Sequence, residues 1–276
     1  MSSHGEKADH FRKLHEREEL FIMPNPWDRG STKILTQLGF EALATTSAGF
    51  AFTIGRKDWP GSVKREEALG HARDLVAATH LPMSADFENG YEDTPEGVAE
   101  TIGLAAATGL AGCSIEDTSG DHDEPIFEMP EAVERVAAAC EAARALDRDF
   151  IVTARAENFL HGRPDLDDTL NRLNAFADVG ADVLYAPGLS TLDHIRTVCS
   201  NVSKPVNVII GEAGVDIRVP DLQEAGVSRI SIGSAFARVA LNALLESARE
   251  VRNNGTFSFA KKGASFEELD AFMDEH

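Results

Sequence analysis

Two carboxylates two residues apart, Asp86 and Glu88, close a short apolar run in Ser84-Ala85-Asp86-Phe87-Glu88-Asn89-Gly90-Tyr91. Side chains alternate along a strand, so both acids point to one side and Phe87 to the other. With Phe87 on the buried outer side, the acids face a barrel axis. Like charges held this close repel unless a cation lies between them. A divalent metal is one answer, because Mg2+ prefers oxygen ligands, keeps waters and is met by one or two carboxylates. A solvated loop that opens with a helix-capping acid is the other.

The pattern recurs downstream. Gly112-Cys113-Ser114-Ile115 runs into Glu116-Asp117, and Phe150-Ile151-Val152-Thr153 leads to Arg155. Only one of two adjacent residues can face inward, which makes Glu116 a candidate for a metal's outer shell and Asp117 a capping or loop-holding acid. An arginine fork binds a carboxylate or phosphate through two parallel hydrogen bonds. The alternative for Arg155 is an ion pair with Glu157 or with the acidic cluster. In Thr45-Thr46-Ser47-Ala48-Gly49, small side chains let backbone N–H groups approach an oxyanion. Asn207 is either a substrate donor or a structural amide. His122, in a Gly/Asp-rich segment, is either a proton donor or an inert loop residue.

Positioning these groups needs strands that end at one mouth. Apolar runs recur at residues 21–23, 42–46, 83–87, 113–116, 151–154, 183–186, 206–210 and 230–232, separated by helical patterns. Thr94-Pro95 is a helix start, and Pro130-Glu131 opens an alanine-rich helix reaching residue 145. Asp165 and Asp168 open a helix that stops at Gly180, and Ser265 with Glu268 forms a capping box. Eight βα units without a linker predict a single (β/α)8 barrel over residues 1–276, in preference to a doubly wound sheet. Residues 235–276 read as a C-terminal helical extension suited to packing on a neighbouring subunit.

The chain of 276 residues carries a formal net charge of -20, with 18 Arg against 8 Lys. Nucleic-acid binding requires a basic face, which is not visible. The acidic, lysine-poor balance suits a salt-tolerant or simply very soluble surface. Cys113, Cys140 and Cys199 show no metal or redox spacing, as expected of a cytoplasmic protein. The polar N-terminus is not a signal peptide, and no run is long enough to span a membrane.

The order and content of the strand ends resemble the isocitrate lyase/phosphoenolpyruvate mutase superfamily, over roughly residues 24–252. Thr46-Ser47-Ala48-Gly49-Phe50 is similar to its substrate loop, and Asp58 in Ile54-Gly55-Arg56-Lys57-Asp58 to its metal-shell aspartate. Asp86-Phe87-Glu88-Asn89-Gly90-Tyr91, Ile115-Glu116-Asp117 and Thr153-Ala154-Arg155 are similar to its next three motifs. The resemblance implies a barrel whose last helix is exchanged between subunits of a homo-oligomer, a dimer or tetramer. It implies Mg2+ or Mn2+ on Asp86, with Asp58, Glu88 and Glu116 acting mostly through water. Thr46, Ser47, Ala48 and Arg155 would hold a small anionic carboxylate substrate.

The loop Thr118-Ser119-Gly120-Asp121-His122-Asp123-Glu124-Pro125 departs from the family pattern, lacking the lysine and the cysteine that isocitrate and methylisocitrate lyases carry there. Cys113 precedes the strand end and reads as a core thiol. The reading is a metal-dependent enzyme cleaving a C–C bond in a small 2-oxo or 2-hydroxy acid through an enolate-like pyruvate fragment. Arg155, Glu116 and His122 are its candidate catalytic residues. C–P chemistry on phosphonopyruvate or phosphoenolpyruvate is the alternative. A sugar-phosphate enzyme, using Ile210-Gly211-Glu212-Ala213-Gly214 and Ile232-Gly233-Ser234-Ala235, and a non-catalytic barrel complete the set. Lys204 lies before the seventh strand, at the wrong end of a barrel for Schiff-base chemistry.

Overall fold

The computed structural model describes residues 3–59, 61–211 and 217–273. Its strands are β1 Phe21–Met23, β2 Leu43–Ala44, β3 Met83–Asp86, β4 Gly112–Glu116, β5 Ile151–Arg155, β6 Val183–Tyr185, β7 Val206–Ile209 and β8 Arg229–Ser231. The helices are α1 His4–Glu16, α2 Arg29–Gln37, α3 Ser47–Thr53, α4 Arg65–Val76, α5 Pro95–Ala107 and α6 Met129–Arg144. They continue with α7 Leu166–Asp178, α8 Leu192–Asn201, α9 Val219–Glu224, α10 Ala235–Asn254 and α11 Phe266–Met273. The eight strands pair in parallel in the order β1-β8-β7-β6-β5-β4-β3-β2. A hydrogen bond from Ala44 N to Pro24 O, 3.1 Å, joins the two end strands, so the sheet closes as a (β/α)8 barrel.

The local signals explain the boundaries. Thr94 caps α5 by accepting from Gly97 N, with Pro95 in the first turn, and Asp165 caps α7 by accepting from Asp168 N. β2 is shorter than its apolar run, because Thr46 turns out of the strand to cap α3. β5 extends to Arg155, and β8 begins one residue earlier than its apolar run, at Arg229.

Strand parity sets the two sides of the wall. Met83, Ala85 and Phe87 belong to the apolar core shared with the helices, as do Cys113 and Ile115. Ser84, Asp86, Ser114 and Arg155 instead line a cavity inside the barrel. The end of the barrel away from that mouth is closed by α1, which the sequence reading did not find. Its Ala8, Phe11 and Leu14 join Phe21, Met23, Ala42, Ala44, Ile151 and Val183 in a second apolar cluster. Arg12 pins the helix there through Asp149 (2.8 Å) and Asp182 (3.2 Å), residues that precede β5 and β6.

The C-terminal extension is helical, as expected. Within α10, Ala237 is buried while Val239, Leu244 and Leu245 are exposed. α11 returns to the barrel, where its Met273 and Phe272 carbonyls accept from Lys33 Nζ and Gln37 Nε2 of α2.

Candidate active site

The C-terminal ends of the strands surround a cavity of about 190 Å3. Its wall carries Thr46, Ser47, Ala48, Asp58, Asp86, Arg155 and Asn207, all seven of which the sequence singled out. Arg229, Tyr185, Ser114 and Ser231 also line it, and these were missed.

Asp86, the last residue of β3, is the hub. Its Oδ2 accepts from Ser47 N (3.2 Å) and Ser47 Oγ (2.8 Å), and its Oδ1 from Arg155 Nη1 (2.7 Å). These bonds tie the start of α3 to the barrel wall. In that first turn Gly49 N donates to Thr46 Oγ1, which leaves the Ala48 N–H as the remaining donor beside the cavity.

Arg155 is paired three times over. Besides Asp86, it binds Glu116 Oε2 through Nη2 at 3.0 Å and Glu157 Oε1 through Nε at 2.8 Å. This arginine therefore makes the ion pairs with Glu157 and the acidic cluster while lining the cavity. Burial works against its charge, but Glu157, Glu116 and Asp86 outweigh that and raise its pKa well above the usual range. Glu157, at 2% exposure, is the least accessible of the three acids.

Beyond Asp86, the acids are under strain. Burial, with Asp86 and Asp58 nearby, raises the Glu88 carboxyl to about 8. Burial and Asp86 raise Asp58, and burial raises Glu116 despite Arg155. Glu88 and Tyr91 adopt left-handed backbone conformations, φ 46° and 60°, which cost energy for residues with a Cβ. Fully buried Arg135 holds this turn, donating to the carbonyls of Asn89, Glu92 and Asp93. Carboxylates so destabilised in their ionised form need a cation more than the single arginine supplies, and their oxygens are the donors a hard divalent ion prefers. Among the described residues no three His, Cys, Asp or Glu side chains converge tightly enough to enclose an ion directly. The set fits an ion held by one carboxylate and by water.

Asp117 turns the other way from Glu116. Its Oδ1 accepts from Glu157 N (2.8 Å) and its Oδ2 from Arg172 Nη1 (3.0 Å), tying the end of β4 to β5 and α7. Cys113 is fully buried, and burial raises its thiol far above the reactive range, so it is the core thiol expected. Asn207 both lines the cavity and is hydrogen-bonded to Arg229 and Ser231.

His122 is not brought to the site. Its side chain is 87% exposed on the 118–126 loop, 3.6 Å from Asp123 Oδ1, and it does not line the cavity. A bridge between Thr118 and Ile126 folds that loop on itself and leaves the imidazole on its outer side. The proton donor expected there has no geometric support. Of the glycine-rich segment considered for phosphate, residues 212–214 lie outside the described residues; Gly233 and Ser234 line the cavity.

A (β/α)8 barrel with carboxylates, a shared arginine and a small-residue loop at its mouth is the kind of arrangement that enzyme sites use. Residues 11–252 match the phosphoenolpyruvate phosphomutase family. The chain belongs to that family of enzymes. It is 50% identical to a Burkholderia cenocepacia J2315 protein described as a candidate lyase/mutase, with a TM-score of 0.95 over 99% of this chain and 97% of that one. A candidate phosphonomutase from the same organism is 33% identical, with a TM-score of 0.81 over 90% of this chain and 99% of that one. The 2-methylisocitrate lyase of Halalkalibacterium halodurans is 26% identical over 92% of this chain and 85% of its own length.

Proposed function

We propose that the chain is a divalent-metal-dependent enzyme that cleaves a C–C bond in a small 2-oxo or 2-hydroxy carboxylic acid. The supporting observation is the joining of Asp86, Glu116 and Glu157 on one guanidinium, with Asp58 and Glu88 destabilised beside it. Asp86 would hold Mg2+ or Mn2+ directly, and Asp58, Glu88 and Glu116 would hold its waters. Such an ion, when bound, supplies positive charge to the oxygen on which an enolate develops. The Ala48 N–H and Arg155 orient the substrate carboxylate, and Ser47 keeps Asp86 aimed at the cavity.

C–C chemistry is taken first because the relatives include 2-methylisocitrate lyases, and C–P chemistry on phosphonopyruvate is the second reading. Turnover of methylisocitrate, dimethylmalate, oxaloacetate and phosphonopyruvate by metal-loaded protein tests the reading. Cleavage of any of the three carbon acids supports it; turnover of phosphonopyruvate alone replaces it with C–P chemistry.

The exposed apolar side chains of α10 support a homo-oligomer, dimer or tetramer, in which this helix packs on a second copy. Light scattering on the intact chain measures that directly. Three unpaired cysteines fit a cytoplasmic location. Among the described residues no helix is long and apolar enough to cross a membrane.

A further inference from the structure

Between β3 and α5 the chain reverses direction while keeping Glu88 beside Asp86 and Asp58, and the backbone that does so is strained. Glu88, Gly90 and Tyr91 all have left-handed φ, at 46°, 87° and 60°. Glycine enters that region freely, whereas residues with a Cβ stay there only where their surroundings leave no alternative. The carbonyl oxygens of the turn show what those surroundings are. The Glu88 oxygen accepts from Glu116 N at 2.9 Å, and the Gly90 oxygen from Thr101 Oγ1 at 2.9 Å. The other three, of Asn89, Glu92 and Asp93, all accept from one side chain of α6, Arg135, at 2.6, 2.7 and 2.6 Å.

Arg135 is 1% exposed and does not line the cavity. Its charge is met by peptide dipoles of the turn rather than by a carboxylate. A buried cation is costly unless its hydrogen bonds are made, so the guanidinium needs the turn closed as much as the turn needs the guanidinium. Its aim is fixed from the far side. The guanidinium carbon lies 4.3 Å from the centre of the Phe127 ring, a cation–π contact. Phe127 is itself held at both ends of its peptide: its N–H donates to Asp117 O at 2.8 Å, and its carbonyl accepts from Arg172 Nη1 at 2.8 Å. The planar fork reaches three carbonyls at once, which the single ammonium of a lysine cannot do.

Building on the function proposed above, we propose that Arg135 is a positioning residue of the metal site: by closing the 88–93 turn it holds the Glu88 carboxylate where it can take one of the ion's waters. Arg135 acts only through Glu88. Groups that orient a metal's ligands in this way govern affinity without touching the ion.

Calorimetric titration of Mg2+ into the parent protein, Arg135→Met, Glu88→Gln and the double variant tests this, with folding followed by circular dichroism. Arg135→Met should weaken Mg2+ binding roughly tenfold or more, the usual cost of losing an orienting group. Glu88→Gln should weaken it at least as much. Once Glu88 is gone the fork has no carboxylate to position, so adding Arg135→Met to Glu88→Gln should change the affinity by less than about twofold. Arg135→Lys keeps the charge without the fork and should fall between the parent protein and Arg135→Met; the same cycle run with Arg135→Lys decides the matter if Arg135→Met does not fold. An unchanged Mg2+ affinity in a folded Arg135 variant would overturn the role. So would an equal loss with and without Glu88, which is what a merely structural arginine would give. A parent protein that binds no Mg2+ would remove the proposed function, and this role with it.

Discussion

Raising the pH of metal-stripped protein should destabilise it, and Glu88 sets the window. Its carboxyl stands at about 8 in the fold against an ordinary 4.5. Below pH 4.5 both states hold the proton and Glu88 contributes nothing. Between 4.5 and 8 the unfolded chain ionises while the folded one does not, so stability falls as pH rises. Above 8 the full penalty is present. At about 1.4 kcal/mol per unit, the shift of roughly 3.5 units sets an upper limit of about 5 kcal/mol. Glu88 is half-buried, so about half of that is a fairer figure. The window from pH 5 to pH 8 captures about three quarters of it, so at 2–4 °C per kcal/mol the melting temperature should drop by roughly 4–7 °C between them. Asp58 and Glu116 are raised too and add to the fall with the same sign. Differential scanning calorimetry across that range, with chelator and then with Mg2+, gives the answer. Glu88→Gln should flatten its share of the slope, and Mg2+ should flatten most of it in the parent protein. A chelated parent protein whose melting temperature is level or rising from pH 5 to pH 8 would refute the reasoning.

Two substitutions probe the mouth separately. Arg155→Lys should raise KM at least roughly tenfold, since one ammonium cannot replace a fork shared among Asp86, Glu116 and Glu157; an unchanged KM in steady-state kinetics would remove Arg155 from substrate binding. His122→Ala should leave kcat within about twofold, as expected of an exposed surface substitution, and a loss of 100-fold or more would show that the loop carries the imidazole into the reaction.

Much of this architecture is written in short-range patterns. The alternation Ser84-Ala85-Asp86-Phe87 placed Asp86 inside and Phe87 among the helices, and the structure has both there. Thr94-Pro95 and Asp165 marked helix starts because capping is local chemistry. The short edges were harder. A run such as Ala42-Leu43-Ala44-Thr45-Thr46 does not announce that Thr46 leaves the strand to cap α3. α1 was overlooked because its charged surface hides Phe11 and Leu14, although Ser3 and Glu6 form a capping box before them. Arg229 was missed for a different reason. An arginine in a strand reads as solvated unless parity is followed, and Arg229 shares the inward parity of Ser231 while Ile230 points into the outer core. The partners that make it unusual, His15 and Thr153, are 214 and 76 residues away and leave no local trace.

The most direct measurement is the affinity of Mg2+ and of oxalate for the parent protein and for Asp86→Ala, by calorimetry, with folding checked by circular dichroism. The account predicts that the parent protein binds oxalate only with Mg2+ present, and that the folded Asp86→Ala variant binds neither. Mg2+-dependent oxalate binding retained in Asp86→Ala, or no Mg2+ binding by the parent protein, would contradict it.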